Sequence, residues 1–386
     1  MSQPASFVVA TPGHCSFDED KARVLAAQGL LHFVAKGTRR GTEGVPAPLT
    51  RLNPKIGLVF TLAGKMLSTF KGESVRFRLN PWFDRWVMKQ LKPRDHIISS
   101  FGYANESFKW VQRNGGKAIL SAGNSHPENF WTILQEEHRR WKCPIPPIDP
   151  AHYKRSLAMM ETVDYIFSPS SFVTNSFLSR GFKPEQILRD IYVVSMAHFK
   201  APPVPRDKNR PLTIISTGAL SLRKGAPYML EAFRLVLKKH PSARFRLTRQ
   251  IHDSAVSVLA QYADLPIDWA PGLPHPQLAE RLQSSDIFVL ASLEEGFART
   301  VAEALACGLP VITTPNSGSN DVIVPGKNGE VVPIRDPKAI AEGILKWADL
   351  MLSEKNRPDI SFDAEALSFN TFEKTFMGEL RKAGLA

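Results

Sequence analysis

Two glutamates, Glu295 and Glu303, stand with seven residues between them in the segment SLEEGFARTVAEALACGLPVITT. The apolar run DIFVLAS, which leads into this segment, predicts a buried strand, and the residues from Arg299 to Cys307 predict a helix. Gly308 follows where helices commonly end, and Pro310 prevents the helix from continuing. Glu295 is therefore expected in the turn before the helix, and Glu303 more than one turn into it.

The start of this helix predicts an anion site. Unpaired backbone N–H groups near Ala298 to Thr300 carry a partial positive charge, which attracts phosphate groups. Gly296 allows a ligand to approach the backbone closely. A carboxylate in the helix accepts two hydrogen bonds from a vicinal diol, as on a ribose. The segment therefore suits a ligand with a sugar, a diphosphate and a ribose in a row.

The alternative is that Glu295 and Glu303 are both surface residues of a helix, because acid pairs with this spacing are common. The order of the surrounding elements favours the binding site. Strand, turn, helix, Gly-x-Pro and strand follow one another as a ligand site at the end of a buried strand requires.

Apolar runs of strand length alternate with helical patterns along the chain, which predicts parallel sheets built from βαβ units. The strand candidates are SFVVAT, LLHFVA, HIISS, KAILSA, YIFSPS and IYVVS in the first half, and LTIIST, ARFRLT, DIFVLAS, PVITT and GEVVP in the second. Two doubly wound Rossmann-like domains are expected, facing each other across a ligand cleft at the carboxyl ends of their strands.

The proline-rich stretch KAPPVPRDKNRP separates the two halves and predicts a linker. We expect an N-terminal acceptor-binding domain over residues 1–200, a linker over 201–210 and a donor-binding domain over 211–358. A helical tail over 359–386 is expected to pack back on the first domain.

Composition limits the class of protein. The 386 residues exceed one ordinary domain, and 49 Lys and Arg against 37 Asp and Glu give a net charge of +12. That charge favours nucleic acid, an anionic membrane surface or small phosphorylated ligands as partners. Three isolated cysteines fit a reducing compartment and argue against structural zinc. Without a long apolar run or a signal peptide, a cytoplasmic protein is expected.

The second half resembles the retaining glycosyltransferases of family 4 (glycosyltransferase group 1), which have the GT-B fold. The resemblance lies in EGF followed by a second glutamate and ALACGLPV, in PNSGSNDVIVPGKNGEVVPIRDPKAIAEGI, and in ISTGALSLRKGAPYMLEAF. Together these stretches cover most of residues 211–350. The first half resembles the family only in its layout.

The resemblance implies roles for individual residues. Glu303 would bind the donor ribose, Glu295 would contact hydroxyls of the transferred sugar, and Lys224 would neutralise the diphosphate. Residues implied to hold the diphosphate through the helix start are Gly296, Phe297, Ala298, Arg299 and Thr300. The resemblance also implies retention of anomeric configuration, with neither glutamate acting as a covalent nucleophile.

One residue departs from the family pattern. The family usually places an arginine after the glycine of the upstream element, and here that position is Ala219. Arg223, Arg249 or Arg299 could supply the missing charge, and Arg223 and Arg299 are the candidates that we test below. Without such compensation, the chain would bind a nucleotide-sugar without turning it over.

The first domain offers two candidate residues. His126 follows the strand in KAILSAGNSHPENF, and the resemblance places a histidine near the transferred sugar. The alternative is a helix-entry residue whose ring satisfies neighbouring backbone. Gly13 follows the first strand in VVATPGHC and lets its loop approach the phosphates from the opposite side of the cleft, or it serves only as a turn.

Two further patterns have competing interpretations. After Pro81, a helix would place Trp82, Phe83, Trp86 and Val87 on one stripe beside basic residues. Such a stripe could contact an anionic bilayer and present a lipid-linked acceptor, or it could be ordinary core. Asp18–Glu19–Asp20 spells a metal-binding DxD motif, but it starts a predicted helix, where acids are good dipole partners. No metal site is predicted.

The sequence therefore predicts a metal-independent glycosyltransferase that moves a hexose from a nucleotide-sugar, such as a UDP- or GDP-sugar, to a hydroxyl of a glycan or glycolipid. No other cofactor is expected. The alternatives are a GT-B epimerase or phosphorylase, a degenerate nucleotide-sugar-binding protein, and a basic nucleic-acid-binding protein, for which no recognition motif is visible.

Overall fold

Seven parallel strands form the sheet of the first lobe. The computed structural model describes residues 6–67, 69–202, 207, 209–248, 250–353, 358–360 and 362–386. The strands are β1 Phe7–Ala10, β2 Leu31–Lys36, β3 Thr50–Leu52, β4 His96–Ser99, β5 Ala118–Ser121, β6 Tyr165–Ser168 and β7 Ile187–Arg189. Their order is β3-β2-β1-β4-β5-β6-β7, as in a doubly wound fold.

Helices cover both faces of this sheet, so its central strands are buried on both sides. They are α1 Ser16–Ala27, α2 Pro54–Met66, α3 Thr69–Arg78, α4 Asn80–Met88, α5 Asn105–Arg113, α6 Pro127–Arg140, α7 Pro150–Met160 and α8 Ser171–Leu178. Several begin with proline behind a capping side chain. The Asp149 carboxylate, for example, accepts the amides of Ala151 and His152 at the start of α7.

The second lobe repeats the design with six parallel strands in the order β10-β9-β8-β11-β12-β13. The strands are β8 Thr213–Ile215, β9 Arg244–Thr248, β10 Ile267–Ala270, β11 Ile287–Leu290, β12 Val311–Thr313 and β13 Gly329–Val331. The helices are α9 Ala226–Leu237, α10 Val256–Leu259, α11 His275–Gln283, α12 Arg299–Ala306 and α13 Pro337–Met351, followed by the tail helix α14 Phe369–Lys382. Both lobes are therefore doubly wound α/β units, as the alternation predicted.

Three strand assignments needed correction. The run IYVVS is not a strand: β7 lies just before it, and Ile191 and Val194 are apolar because they are buried against the tail. The Val194 amide donates to the Leu367 carbonyl at 3.1 Å. The strands β3 and β10 were not predicted. Both are edge strands with mostly half-buried residues, so they lack the long apolar run of a central strand.

The tail returns to the first lobe. Phe372, Phe376 and Leu380 of α14 are buried in the same cluster as Phe7 and Val9 of β1. In the predicted linker, residues 203–206 and 208 lie outside the described part of the chain.

Helix α6 joins the lobes. It follows β5 of the first sheet, yet Leu134 is buried in the core of the second lobe, and Phe130, Ile133 and Trp141 pack against that core. The apolar stripe of α6 is thus a contact between the lobes.

Candidate active site

The segment from β11 to α12 folds as its sequence predicts. Helix α12 starts at Arg299 and ends at Ala306, with Cys307 as its C-cap. Gly308 has a φ of +77°, which favours glycine, and it ends the helix. Glu295 lies in the loop and Glu303 lies in the helix, so both acids have the local positions expected of them.

Two cations of the loop between β8 and α9 bind the Glu295 carboxylate. Its Oε2 accepts hydrogen bonds from Lys224 Nζ and from Arg223, the latter at 3.1 Å. Burial would raise the pKa of Glu295, but Lys224 and Arg223 outweigh it and hold the pKa at about 2. Glu295 is thus ionised, and two positive charges lie beside it.

Glu294 is a site residue that the sequence analysis missed. Its side chain is fully buried, and it accepts hydrogen bonds from the Ser125 amide at 2.9 Å, Ser125 Oγ at 3.0 Å and Asn124 Nδ2 at 2.9 Å. Arg223 lies 3.4 Å from its Oε2. Glu294 therefore connects the β5–α6 loop of the first lobe to the cations beside Glu295.

Glu303 faces a cavity of about 230 Å³ in the second lobe. The walls come from the loops after β8, β9 and β10, from α11 and from Thr300, and they include Gly218, Gln250, Gly272 and His275. Glu303 is buried, and its Oε2 has no hydrogen-bond partner among the described residues. Burial raises the pKa of Glu303 to about 7, against the opposing effect of Arg299. A hydroxyl-bearing ligand would satisfy this oxygen.

The start of α12 is only partly available as an anion site. The Ala298 amide donates to Ser319 Oγ at 2.7 Å, so it is already satisfied, contrary to the expectation. Phe297 packs edge-on against Tyr192 of the first lobe, with ring centroids 6.1 Å apart. Among the described residues, the amides of Phe297, Arg299 and Thr300 have no hydrogen-bond partner. Of the four amides expected to hold a phosphate, only that of Ala298 is therefore already satisfied.

Gly296 serves a different purpose from the one predicted. A Cβ atom at this position would collide with the carbonyl oxygen of Gly123 in the first lobe. The Gly296 carbonyl also accepts a hydrogen bond from Ser170 Oγ at 2.8 Å. The first lobe, rather than a ligand, therefore takes the space that glycine leaves open.

The structure favours helix entry as the role of His126, and its contact with the transferred sugar stays a prediction. Its Nδ1 accepts the Glu128 amide at 3.3 Å as the N-cap of α6, and its ring packs edge-on against Phe177. It lines a depression formed entirely by first-lobe residues. Burial lowers the pKa of His126 to about 4, which suits a structural ring. Helix entry alone explains this histidine.

A second cavity, of about 270 Å³, lies in the first lobe and includes Gly13. Asn124 and Ser125 also line it, so the residues that hold Glu294 form part of its wall. The cavity is therefore linked to the segment that carries Glu295. Gly13 lies on the first-lobe side, as predicted, and its contact with phosphates stays a prediction.

Of the three arginines that could replace the charge missing at Ala219, the structure describes two, which lie in different places. Arg223 lies beside Lys224 and shares its partner Glu295. Arg299 is exposed at the start of α12 and interacts electrostatically with Asp20 and Glu303. Arg249 lies outside the described residues. Arg223 has the better position to act with Lys224.

A buried ion pair holds the lobes together away from the cavities. Glu137 of α6 is fully buried and accepts hydrogen bonds from Arg335 Nε at 2.8 Å, the Tyr228 hydroxyl at 2.7 Å and Trp141 Nε1 at 2.8 Å. Arg335 and Tyr228 belong to the second lobe. The sequence predicted an amphipathic α6 but gave no sign of this partner.

The DxD segment forms a network of buried charges. Glu19 accepts the amide of Cys15, the N-cap residue of α1, and pairs with Lys36 and His14. Asp18 accepts Ser100 Oγ at 3.0 Å, and Asp20 pairs with Arg23. The capping interpretation holds for Glu19. Within the described residues, no cluster of three His, Cys, Asp or Glu side chains has the geometry of a metal site.

The aromatic stripe after Pro81 is mostly core. Phe83 and Val87 are fully buried, whereas Trp82 is 64% exposed. Helix α2 instead carries the exposed apolar side chains, which are Leu58, Val59, Leu62 and Met66. Within the described residues, no helix has both the length and the apolar character needed to cross a bilayer.

Comparisons with known proteins agree with this geometry. Residues 199–359 match the family described as "Glycosyl transferases group 1". This match spans the whole sheet of the second lobe. The chain is similar to a protein of Escherichia coli (strain K12) named as a colanic acid biosynthesis glycosyltransferase, WcaL, with 28% identity over 187 residues. It is also similar to the amylovoran biosynthesis glycosyltransferase AmsK of Erwinia amylovora, with 27% identity over 148 residues.

These matches cover 45% of this chain and 45% of WcaL, and 36% of each chain for AmsK. The chain thus spans less than half of the length of the curated relatives that it matches.

Solved structures extend the likeness to both lobes. Sucrose-phosphate synthase from Thermosynechococcus elongatus superposes with a TM-score of 0.62 at 17% identity, covering 98% of each chain. Anabaena Alr3699/HepE, in complex with UDP and glucose, superposes with a TM-score of 0.64 at 13% identity, covering 98% of this chain and 99% of that one. The chain therefore has the GT-B fold.

Proposed function

We propose that the chain transfers a sugar from a nucleotide-sugar to a hydroxyl acceptor. The observation that carries the proposal is the unpartnered, buried Glu303 oxygen in a cavity at the start of α12, in the same domain as the Lys224–Arg223 cation pair. In this proposal the nucleoside occupies the cavity, its ribose diol donates to Glu303, and its diphosphate extends toward the cations.

Glu295 has two successive partners in the proposal. In the unliganded protein it neutralises Lys224 and Arg223. The donor diphosphate would replace it as their partner, which frees the Glu295 carboxylate to accept hydrogen bonds from the transferred sugar. Lys224 and Arg223 would then stabilise the negative charge that the diphosphate gains as it leaves. This supports a reaction that depends on fixed cations rather than on a divalent ion.

The proposed bond changes are those that the family resemblance implies. The bond between the anomeric carbon and the diphosphate oxygen breaks, and a bond forms from that carbon to the acceptor oxygen. The acceptor proton passes to the leaving phosphate oxygen on the same face of the sugar, which retains the anomeric configuration. We propose a hexose as the transferred sugar and, from the names of the relatives, a role in polysaccharide biosynthesis.

Nucleotide binding tests the donor part of the proposal. UDP, GDP and ADP, and their sugars, are each added to the full chain, and the thermal unfolding midpoint is measured, since ligands stabilise the state that binds them. One nucleotide class should raise the midpoint. Lys224→Met should weaken its affinity about 10- to 100-fold, the range for hydrogen bonds to charged groups. The exposed Lys239→Met is the matched control.

Product analysis separates the alternatives. Transfer to a glycan hydroxyl with a retained anomeric centre supports the transferase. Sugar release without acceptor, or dependence on free phosphate, would instead indicate an epimerase or phosphorylase. Nucleotide binding without turnover would indicate a degenerate binding protein, and no nucleotide binding at all would refute the proposal.

Contact with an anionic membrane, on the cytoplasmic side, is a further part of the proposal. The support comes from α2, where Leu58 is 61% exposed and Met66 is 76% exposed, and where Lys55 and Lys65 are also exposed. Residues 37–94, which contain α2, hold twelve Lys and Arg against three Asp and Glu, a balance that favours an anionic surface. Such a surface suits an acceptor carried by lipid.

Vesicle co-sedimentation tests the membrane contact. The chain should bind vesicles that contain phosphatidylglycerol and not vesicles of phosphatidylcholine alone. Leu58→Ser with Met66→Ser should remove the binding, whereas Leu352→Ser, at a position 37% exposed on the second lobe, should not. Equal binding by both variants would exclude α2 as the contact.

A further inference from the structure

Helix α3 belongs to the first lobe, yet its first turn is bonded to the second lobe. The Phe70 amide donates to Asp253 Oδ2 at 3.0 Å. Within the described residues, this is the one hydrogen bond or ion pair between α3 and the second lobe. The carboxylate satisfies an amide that the first turn of a helix leaves unpaired. Asp253 therefore holds the start of α3 across the cleft.

The loop that carries Asp253 is fixed to the loop that carries the cation pair of the proposed donor site. The Leu220 amide donates to the Gln250 carbonyl at 2.7 Å, and the His252 amide donates to the Leu220 carbonyl at 2.8 Å. Gln250 also lines the cavity that contains Glu303. Helix α3 is thus attached at the edge of the proposed donor site.

Glu73 of α3 lies within electrostatic reach of that site. The side chain is half-buried, and burial raises its pKa. Arg223 of the second lobe opposes this rise more strongly than Arg76 does, although Arg76 is on the same helix one turn away. Electrostatic influence falls with distance, so the Glu73 carboxylate lies near Arg223. In the proposed function Arg223 binds the donor diphosphate, and α3 therefore lies next to the place of that group.

Helix α3 is only partly satisfied in this position. Ser74 Oγ and Arg76 Nε are buried and have no partner in the part of the chain that the structure describes. Glu73 has neither a hydrogen bond nor an ion pair among the same residues. Buried polar groups without partners are costly, and water would pair them if the helix moved outward. Opening of α3 is therefore opposed mainly by the bond to Asp253.

The other end of α3 is anchored in its own lobe. Phe77 stacks on His152 of α7 with ring centroids 3.7 Å apart. Gly72 packs closely on α2, since a Cβ atom there would lie 2.9 Å from the Ala63 carbonyl oxygen. The outer face of α2 is exposed at Met66, so α2 can move outward together with α3. The start of α3 is thus the end that can open.

We propose that α2 and α3 form a lid over the donor diphosphate site and that Asp253 is the latch that holds it closed. The inference rests on the proposed function, because the ligand that the lid encloses is the nucleotide-sugar. A nucleotide enters and leaves when the bond between Phe70 and Asp253 is broken. The closed lid keeps water away from the anomeric carbon, which limits hydrolysis of the donor.

Nucleotide exchange rates test the lid. UDP, GDP and ADP are each mixed with the full chain in a stopped-flow instrument, and tryptophan fluorescence follows association and, after dilution, dissociation. Asp253→Ala should raise both rates about tenfold, the lower end for a lost hydrogen bond to a charged group, and keep the dissociation constant within about twofold. Asp253→Asn retains an acceptor oxygen without the charge and should raise the rates less. Asp349→Ala, at an exposed acid of α13, is the control and should change neither rate.

Hydrogen exchange tests the latch without a ligand. The amides of residues 70–78 should exchange about tenfold faster in Asp253→Ala than in the unmodified chain, because the start of α3 opens more often. The amides of α13 should exchange at the same rate in both proteins. Equal circular dichroism spectra and unfolding midpoints would show that the change is local.

Each outcome decides the inference. If Asp253→Ala changes neither nucleotide rate, or if it weakens affinity through faster dissociation alone, the lid is overturned; in the second case Asp253 contacts the nucleotide. Unchanged hydrogen exchange of α3 overturns the latch whatever the nucleotide does. If no nucleotide binds the unmodified chain, the proposed function fails and the lid fails with it, while faster exchange of α3 in Asp253→Ala would still support the latch.

Discussion

Replacing Glu303 by glutamine is expected to stabilise the unliganded protein at alkaline pH and to weaken nucleotide binding at the same pH. Both effects have one cause. The Glu303 carboxyl is buried and one of its oxygens is unpaired, so the fold favours the protonated acid until a ligand donates to it. Glutamine has the shape of that acid but cannot ionise.

The magnitude follows from the pKa of Glu303, which is about 7 instead of the usual 4.5. Since each pH unit corresponds to about 1.4 kcal/mol, ionising Glu303 in the fold costs about 3 kcal/mol. The folded pKa is the higher one, so stability is complete below about pH 4.5 and decreases as the pH rises through 7. Well above pH 7 the loss of stability no longer changes with pH.

Urea unfolding at pH 5 and pH 8.5 measures this difference. Glu303→Gln should match the unmodified chain within about 1 kcal/mol at pH 5 and exceed it by about 3 kcal/mol at pH 8.5. Tryptophan fluorescence is a suitable signal, because Trp347 is fully buried in the second lobe. Glu280→Gln, at an exposed position of α11, is the control and should change stability by less than about 0.5 kcal/mol.

Nucleotide binding should reverse the preference of Glu303 for its protonated form. Ribose hydroxyls that donate to Glu303 favour its ionised form, so binding lowers its pKa and releases up to one proton near pH 7. Titration calorimetry in two buffers of different ionisation enthalpy measures this release. The nucleotide phosphates also titrate near that pH, but equally for Glu303→Gln, so the difference between the two proteins belongs to Glu303.

Two results would refute the reasoning. If Glu303→Gln is no more stable than the unmodified chain at pH 8.5, the carboxyl is not desolvated. If both proteins release the same number of protons on nucleotide binding, Glu303 does not receive the ribose.

Three further predictions concern single residues. Glu137→Ala removes the acceptor of the Tyr228 hydroxyl and of Trp141 Nε1 and leaves Arg335 only its pair with Glu136, so it should cost about 1.5–3 kcal/mol in urea unfolding. Glu136→Ala, at an exposed side chain, should cost less than about 1 kcal/mol. His126→Ala should lose about 1 kcal/mol of stability, as for a lost helix cap, and should keep its nucleotide affinity in calorimetry. A large loss of affinity would show that His126 contributes to the binding site. Gly296→Ala should separate the lobes, since its Cβ collides with first-lobe backbone, and unchanged small-angle scattering would contradict this.

The sequence predicted those parts of the fold whose signals are local. The run from β11 through α12 to β12 could be predicted because a buried strand, a glycine stop and a proline follow one another within about twenty-five residues. The same order placed Glu303 in the helix and Glu295 before it. The edge strands β3 and β10 could not be found, because their burial depends on neighbours rather than on their own residues.

Contacts between the lobes could not be predicted from one sequence. Glu294 and Ser125 are 169 positions apart, and nothing near either residue identifies the other. A signal for Glu294 did exist, since an acid directly after a fully buried strand needs a partner. His126 is the opposite case. The resemblance implied a role near the sugar, whereas the capping geometry directs the ring into its own lobe, which the local sequence alone could not decide.

The adjacent acids Glu294 and Glu295 explain how the two lobes share one site. Glu294 is held by the first-lobe loop, Glu295 is held by Lys224, and Arg223 contacts the Glu294 carbonyl at 2.9 Å as well as both carboxylates. A shift of the first-lobe loop would leave Glu294 buried with fewer donors, and Arg223 would have to move toward it to compensate the charge. The same movement takes Arg223 away from Glu295 and Lys224. The position of the first lobe is therefore coupled, through one arginine, to the charge that a donor diphosphate would meet.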